Sequence, residues 1–159
     1  VRRIIHASAD FELGRSVVFT PGAVEAGIKA IREGKHVIAD VQMIVSGSGH
    51  KRFQKHGGDI HCYIGDEDVA KEAKEAGVTR AIMATRKAAK EHEGGIYAIG
   101  NAPTALLELI RLVNEGLAKP DLIIGMPVGF VSAAESKEEL LSLKGVPYIT
   151  ILVVKAVVQ

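Results

Sequence analysis

Three short stretches of this chain hold side chains whose types and spacing could do chemistry. His6-Ala7-Ser8-Ala9-Asp10 sets an imidazole beside a hydroxyl and a carboxylate, and imidazole is the side chain best suited to proton transfer near neutral pH. Ser8 and Asp10 could hydrogen-bond that ring or cap a turn. Gly100-Asn101-Ala102-Pro103-Thr104-Ala105 follows an apolar run and opens an amphipathic one, which is how a parallel-sheet protein builds an anion-binding corner. Asn101 and Thr104 offer side-chain donors there, and Gly100 would let a ligand approach the backbone. Gly125-Met126-Pro127-Val128-Gly129-Phe130-Val131, running into Ala134-Glu135-Ser136-Lys137, repeats the design. Arg80, Lys51 and Arg52 are cations that could pair with ligand carboxylates, arginine by a bidentate fork.

Elements must hold these tips in place, and the apolar pattern supplies them. Val24, Ile28 and Ile31 recur at helical spacing after Thr20-Pro21-Gly22, which reads as an N-cap and first turn, with Gly34 as the stop. Short apolar runs at Val37-Ala39 (ending at Asp40), Ile60-Ile64, Ile96-Ile99, Leu122-Met126 and Tyr148-Leu152 read as buried strands. Helices capped by Asp66, Thr79, the Gly100-Asn101 corner and Ser132 lie between them. Only Ser46-Gly58, rich in Gly, Ser, His and Lys, reads as a long polar loop able to cover a site. The expected architecture is α/β: a single domain over residues 1–159, three layers, a doubly wound sheet of about five mainly parallel strands with helices on both faces. Ligands of such sheets bind beyond the carboxyl ends of the strands.

The composition removes several function classes. Formal charge is +1 and aromatics are 4% with no Trp, so there is neither the electrostatic footprint of a nucleic-acid binder nor a stacking surface for bases. No apolar run reaches a membrane span and no stretch reads as a signal peptide, so a cytoplasmic protein is expected. Cys62 is the lone cysteine, expected as a small buried hydrophobe in a strand; disulfides and thiolate zinc sites are excluded. His50, His56 and His61 lack the spacing of a ligand set, so no metal site is expected. A Walker loop and a Gly-x-Gly-x-x-Gly fingerprint are both absent from the sequence.

Taken in order, Ile5-His6-Ala7-Ser8-Ala9-Asp10-Phe11, Pro21-Gly22-Ala23-Val24-Glu25-Ala26-Gly27, Ala98-Ile99-Gly100-Asn101-Ala102-Pro103-Thr104-Ala105 and Gly129-Phe130-Val131-Ser132-Ala133-Ala134-Glu135-Ser136-Lys137 resemble the precorrin-8X methylmutase family, including its cobalt-precorrin-8 branch. The resemblance runs over nearly the whole chain; Gln42 stands where the family often has Asn. It implies an α/β homodimer acting in corrin biosynthesis, an isomerase that moves a methyl group between adjacent ring C carbons of the macrocycle without any cofactor. The family's catalytic histidine falls on His6, a proton donor to the ring C nitrogen. Substrate-binding residues are then expected among Ser8, Asp10, Gln42, Met43, Arg80, Gly100, Asn101, Thr104, Met126, Gly129 and Phe130. The macrocycle's carboxylates suit the polar members of that set and its body suits the apolar ones. Two other readings compete: a corrinoid-binding protein of this fold without catalysis, and a doubly wound domain that binds a small phosphorylated ligand at Gly100-Asn101.

Overall fold

A computed structural model describes residues 1–129 and 131–152. Alternation along the strands decides its layering. Ile38, Tyr97, Ile99 and Ile123 enter one apolar cluster, whereas their neighbours Val37, Ala39, Ile96 and Leu122 enter another. A strand turns successive side chains to opposite faces, so a run that is apolar throughout needs cover on both.

The strands are β1 (Val17–Phe19), β2 (Val37–Ala39), β3 (Ile60–His61), β4 (Ile96–Ile99), β5 (Leu122–Gly125) and β6 (Tyr148–Ile151). They form one sheet in the order β1-β6-β5-β4-β2-β3. Neighbours from β6 to β3 are parallel; β1 pairs antiparallel with β6, Val17 opposite Ile151. The helices are α1 (Arg2–Ser8), α2 (Phe11–Arg15), α3 (Ala23–Arg32), α4 (Gln42–Ser48), α5 (His50–Gln54), α6 (Glu67–Ala76), α7 (Arg80–Glu91), α8 (Pro103–Asn114) and α9 (Ala133–Ser142). Residues of α3, α4 and α5 line one cluster; those of α7, α8 and α9 line the other, with α6 packed outside α7. The three-layer α/β expectation therefore holds, with six strands.

The extra strand is β1. Three residues long, it follows the five-residue helix α2 and has no flanking apolar run to announce it. β3 is shorter than the Ile60–Ile64 run: Tyr63 and Ile64 leave the sheet to pack beneath α6 and α7, so half-buried Cys62 lies just past the strand. Thr20 does not cap α3, whose N-cap is Gly22; its hydroxyl donates to the Tyr148 carbonyl at 3.2 Å and accepts from the Tyr148 N–H at 2.8 Å, tying β1 to β6. Ser46–Gly58 is mostly helical, in α4 and α5, because Val45 and Phe53 anchor it to the sheet. Thr79 caps α7 through the Ile82 N–H at 3.2 Å, as the sequence indicates, and Gly77 ends α6 in the left-handed conformation.

Candidate active site at the carboxyl edge of the sheet

From β2 the chain moves outward to β3, then returns to the far side of β2 to lay down β4. The carboxyl ends of β2 and β4 are thus the topological switch point, where sheets of this order hold their ligands. Asp40, immediately after β2, is 7% exposed. Its Oδ1 accepts the Gly100 N–H at 3.0 Å, and its Oδ2 accepts those of Asn101 at 2.9 Å and Ala102 at 2.7 Å. The anion-binding corner read from the sequence is real, and the anion is the chain's own carboxylate. Gly100 also serves packing rather than ligand approach: a Cβ there would sit 2.9 Å from Ile44 Cδ1. A small phosphorylated ligand has no free N–H at Gly100–Ala102 to bind, which removes the basis of that reading.

Side chains expected at the site flank this clamp. Gln42 and Met43 open α4, both exposed, Met43 at 80%. Asn101 is exposed on the corner itself, and Thr104, in the first turn of α8, lies 3.5 Å (Oγ1 to Oγ1) from Thr79, beside exposed Arg80 at the start of α7. Met126 follows β5 and donates its N–H to the Ile99 carbonyl at 2.8 Å, binding the tips of β4 and β5 together. Gly129 is exposed with φ +126°, a conformation only glycine holds at low cost. Phe130 lies outside the described residues.

His6 stands in the last turn of α1, exposed, on a helix that packs against α2 and buries none of its own residues. α1 and α2 belong to the same edge of the sheet: they lead into Val17 opposite Ile151, the last residue of β6, and the Leu152 N–H donates to the Ser16 carbonyl at 2.8 Å. Ser8 and Asp10 do not hold the imidazole. Ser8 Oγ donates to the Ile4 carbonyl at 2.8 Å, and Asp10 Oδ1 caps α2 through the Glu12 and Leu13 N–H groups at 2.8 and 3.1 Å. Both are nearest to free backbone groups in their own turn, and a short side chain takes such a partner first. Of the two readings the sequence left open for them, the turn-and-cap one is realised.

Two features escaped the sequence reading. Lys137 lies on the inward face of α9, 8% exposed, and burial pulls its ammonium pKa down; the spacing Ala133, Ser136, Lys137, Leu140 was its signal. At the opposite, amino edge, His36, His61 and His92 meet with ring centroids 4.8 to 5.2 Å apart. His61 Nε2 lies 3.1 Å from His36 Nδ1, and the Tyr63 hydroxyl lies 2.6 Å from His92 Nε2. Desolvation first and the neighbouring imidazoles second lower the pKa of both His61 and His92. Nothing in their spacing, 25 and 31 residues apart along the chain, announces the meeting. His50 instead bonds Asp59, Nδ1 to Oδ1 at 2.6 Å, which helps hold that carboxyl down to about 2. Among the described residues no group of three His, Cys, Asp or Glu side chains is arranged to hold a metal ion, and no helix is long and apolar enough to cross a membrane.

A family model described as precorrin-8X methylmutase matches residues 1–155. The chain belongs to the precorrin-8X methylmutase family. It is 67% identical over 150 residues to a cobalt-precorrin-8 methylmutase of Priestia megaterium, covering 94% of this chain and 66% of that protein. It is 39% identical over 150 residues to a precorrin-8X methylmutase of Pseudomonas aeruginosa, covering 94% and 72%. A solved precorrin-8x methyl mutase from Thermus thermophilus superposes with a TM-score of 0.87 at 40% identity, covering 96% of this chain and 73% of that one. The chain thus spans about two thirds of the length of the first of these relatives.

Proposed function

We propose that this chain carries out the methyl migration of corrin biosynthesis, converting cobalt-precorrin-8 or precorrin-8X to cobyrinate or hydrogenobyrinate, with His6 as the proton donor. The observation that carries the reading is the composition of one edge. Phe11, Met43, Val128, Val131 and Leu152, five large apolar side chains each about half exposed or more, all belong to segments at the carboxyl ends of the strands. A broad apolar rim in that position, interspersed with Asn101, Thr104 and Arg80, suits a flat macrocycle fringed with carboxylates.

The chemistry asks little else of the protein. The rearrangement is a sigmatropic shift within the macrocycle and needs no redox partner. Imidazole is the side chain best suited to donate a proton near neutral pH to a weakly basic ring nitrogen. A proton at the ring C nitrogen makes that ring electron-poor and favours migration there. Fixing one donor against one nitrogen selects which methyl moves.

A second copy of the chain completes this proposal. A macrocycle needs more wall than one such edge provides, and the sheet face carrying α3 leaves Val24, Ile28 and Phe19 between 40% and 46% exposed. Sedimentation of the 16.9 kDa chain at twice its monomer mass is the expected result, and a strict monomer at assay concentration would contradict it.

Visible-absorption titration with cobalt-precorrin-8 and precorrin-8X tests the reaction. Slow conversion to the spectrum of the rearranged corrin supports the isomerase and identifies its substrate. An immediate shift without conversion leaves a binder, the second reading. No shift with folded protein refutes both.

A further inference from the structure

Resting on the reading above, we propose that Asp40 is a positioning residue of the ligand site, whose carboxylate locks the Gly100–Ala102 corner so that Asn101 and Thr104 meet the macrocycle in fixed positions. Three observations converge on it. Asp40 is nearly buried, yet among the described residues it forms no ion pair. Its charge is instead satisfied by three consecutive backbone N–H groups, 2.7 to 3.0 Å away, ahead of α8. Hydrogen bonds to a carboxylate are about twice as strong as neutral ones, and a carboxylate at a helix start is favoured further by the helix dipole.

The clamp joins elements that are far apart in the chain. Asp40 and Gly100 are 60 residues apart, and on either side of their contact stand the exposed Gln42 and Met43 of α4 and the exposed Asn101. Ile44, from the same turn as Gln42 and Met43, packs against Gly100. Polar and apolar expected contacts are therefore held in one rigid unit by a residue that itself faces inward. The carboxylate also decides what the corner recognises. With its N–H groups taken and a negative charge seated behind them, it offers ligands neutral side-chain donors and gives inorganic phosphate nothing to bind.

A double-mutant cycle on cobyrinate affinity tests this, with Asp40→Asn, Asn101→Ala and the pair measured by absorption titration alongside thermal melts. Asn cannot accept all three N–H groups, because one oxygen becomes an NH2 that faces a donor. Loss of one ligand hydrogen bond raises Kd about tenfold. The expected result is about tenfold for each single variant and about tenfold, not a hundredfold, for the pair, since both remove the same contact. Additive losses, or an Asp40→Asn protein with a lower Tm and unchanged Kd, overturn the proposal and make Asp40 a helix cap only. If Asp40→Asn does not fold, Asp40→Gly prepared in sodium formate replaces it. Formate seated on the vacated N–H groups restores cobyrinate binding if the clamp acts as described; folded Asp40→Gly whose affinity ignores formate refutes it. Wild-type protein that binds no cobyrinate overturns the functional reading and this inference together, whereas wild-type binding with unaltered variants overturns this inference alone.

Discussion

His6→Ala should remove turnover while leaving the fold and product binding in place, and the structure sets the size of each effect. The imidazole is exposed in the last turn of α1, a helix with no buried residues. Alanine there gains up to about 0.7 kcal/mol in helix propensity. It forfeits about 0.3–1 kcal/mol from the loss of a cation near the helix C-terminus when the ring is protonated. The two nearly cancel, so stability should move by no more than about 0.5 kcal/mol, the range of ordinary surface changes. For a chain of this size that is a Tm shift of at most about 2 °C. The rate effect is far larger: a positioned general acid contributes about 10²–10⁴-fold, so kcat should fall by that factor. Single-turnover absorption kinetics with cobalt-precorrin-8, together with a cobyrinate titration and a melt of the same preparation, reads all three quantities. Undiminished kcat would sink the assignment of His6 as donor. A Tm loss of many degrees would show that the ring holds structure instead.

Glu108 accepts from Arg86 Nε at 2.6 Å and from Arg111 Nη2 and Nε at 2.6 and 3.0 Å, and the Arg111 bond is foremost in holding its pKa down; Glu108→Gln should cost about 2 kcal/mol and about 4–8 °C in Tm, and a melt within 1 °C of wild type would contradict that. Leu140 is fully buried against Gly125, so Leu140→Ala should cost about 2–5 kcal/mol in urea unfolding with an unchanged m-value, and a loss under about 1 kcal/mol would mean that the site collapses without a cavity. His61 and His92 titrate lower folded than unfolded; the unfolded chain therefore binds more protons below about pH 6.5, and stability present at pH 7 should be lost as pH falls towards 5. Urea midpoints measured across that range should decline, less steeply in His61→Gln, and equal slopes in the two proteins would dismiss the histidine cluster as the cause.

How much of this was legible in the sequence follows from how local each signal is. The parallel strands and Thr79's cap depend on a few consecutive residues, and they appear where read, with β3 cut short at His61. β1 was missed because its register is set by β6, far along the chain, through the paired Thr20–Tyr148 bonds. The Gly100-Asn101 corner was recognised as anion-binding, but its occupant came from residue 40, a pairing no local pattern encodes. The same holds for the three imidazoles and for Glu108, whose partner Arg86 sits on the neighbouring helix. Ser8 and Asp10 left two readings open, a bond to His6 or a cap within their own turn, and the local backbone took them.

The antiparallel pairing of β1 with β6 has a kinetic consequence. Thr20 and Tyr148 are 128 residues apart, so this contact closes a long loop, whereas β2 to β5 join by shorter crossovers. β1 is also obliged to wait for β6 to leave the ribosome. On that order of events β1 docks after the folding transition state, and Val18→Ala should speed unfolding while leaving the folding rate nearly unchanged in stopped-flow chevrons. Slower folding of that variant would instead place β1 in the nucleus. Since α1 and α2 lead into the sheet through β1, His6 arrives at the carboxyl edge in the final step, and a nascent or partly unzipped chain would have the sheet assembled without the proposed donor beside it.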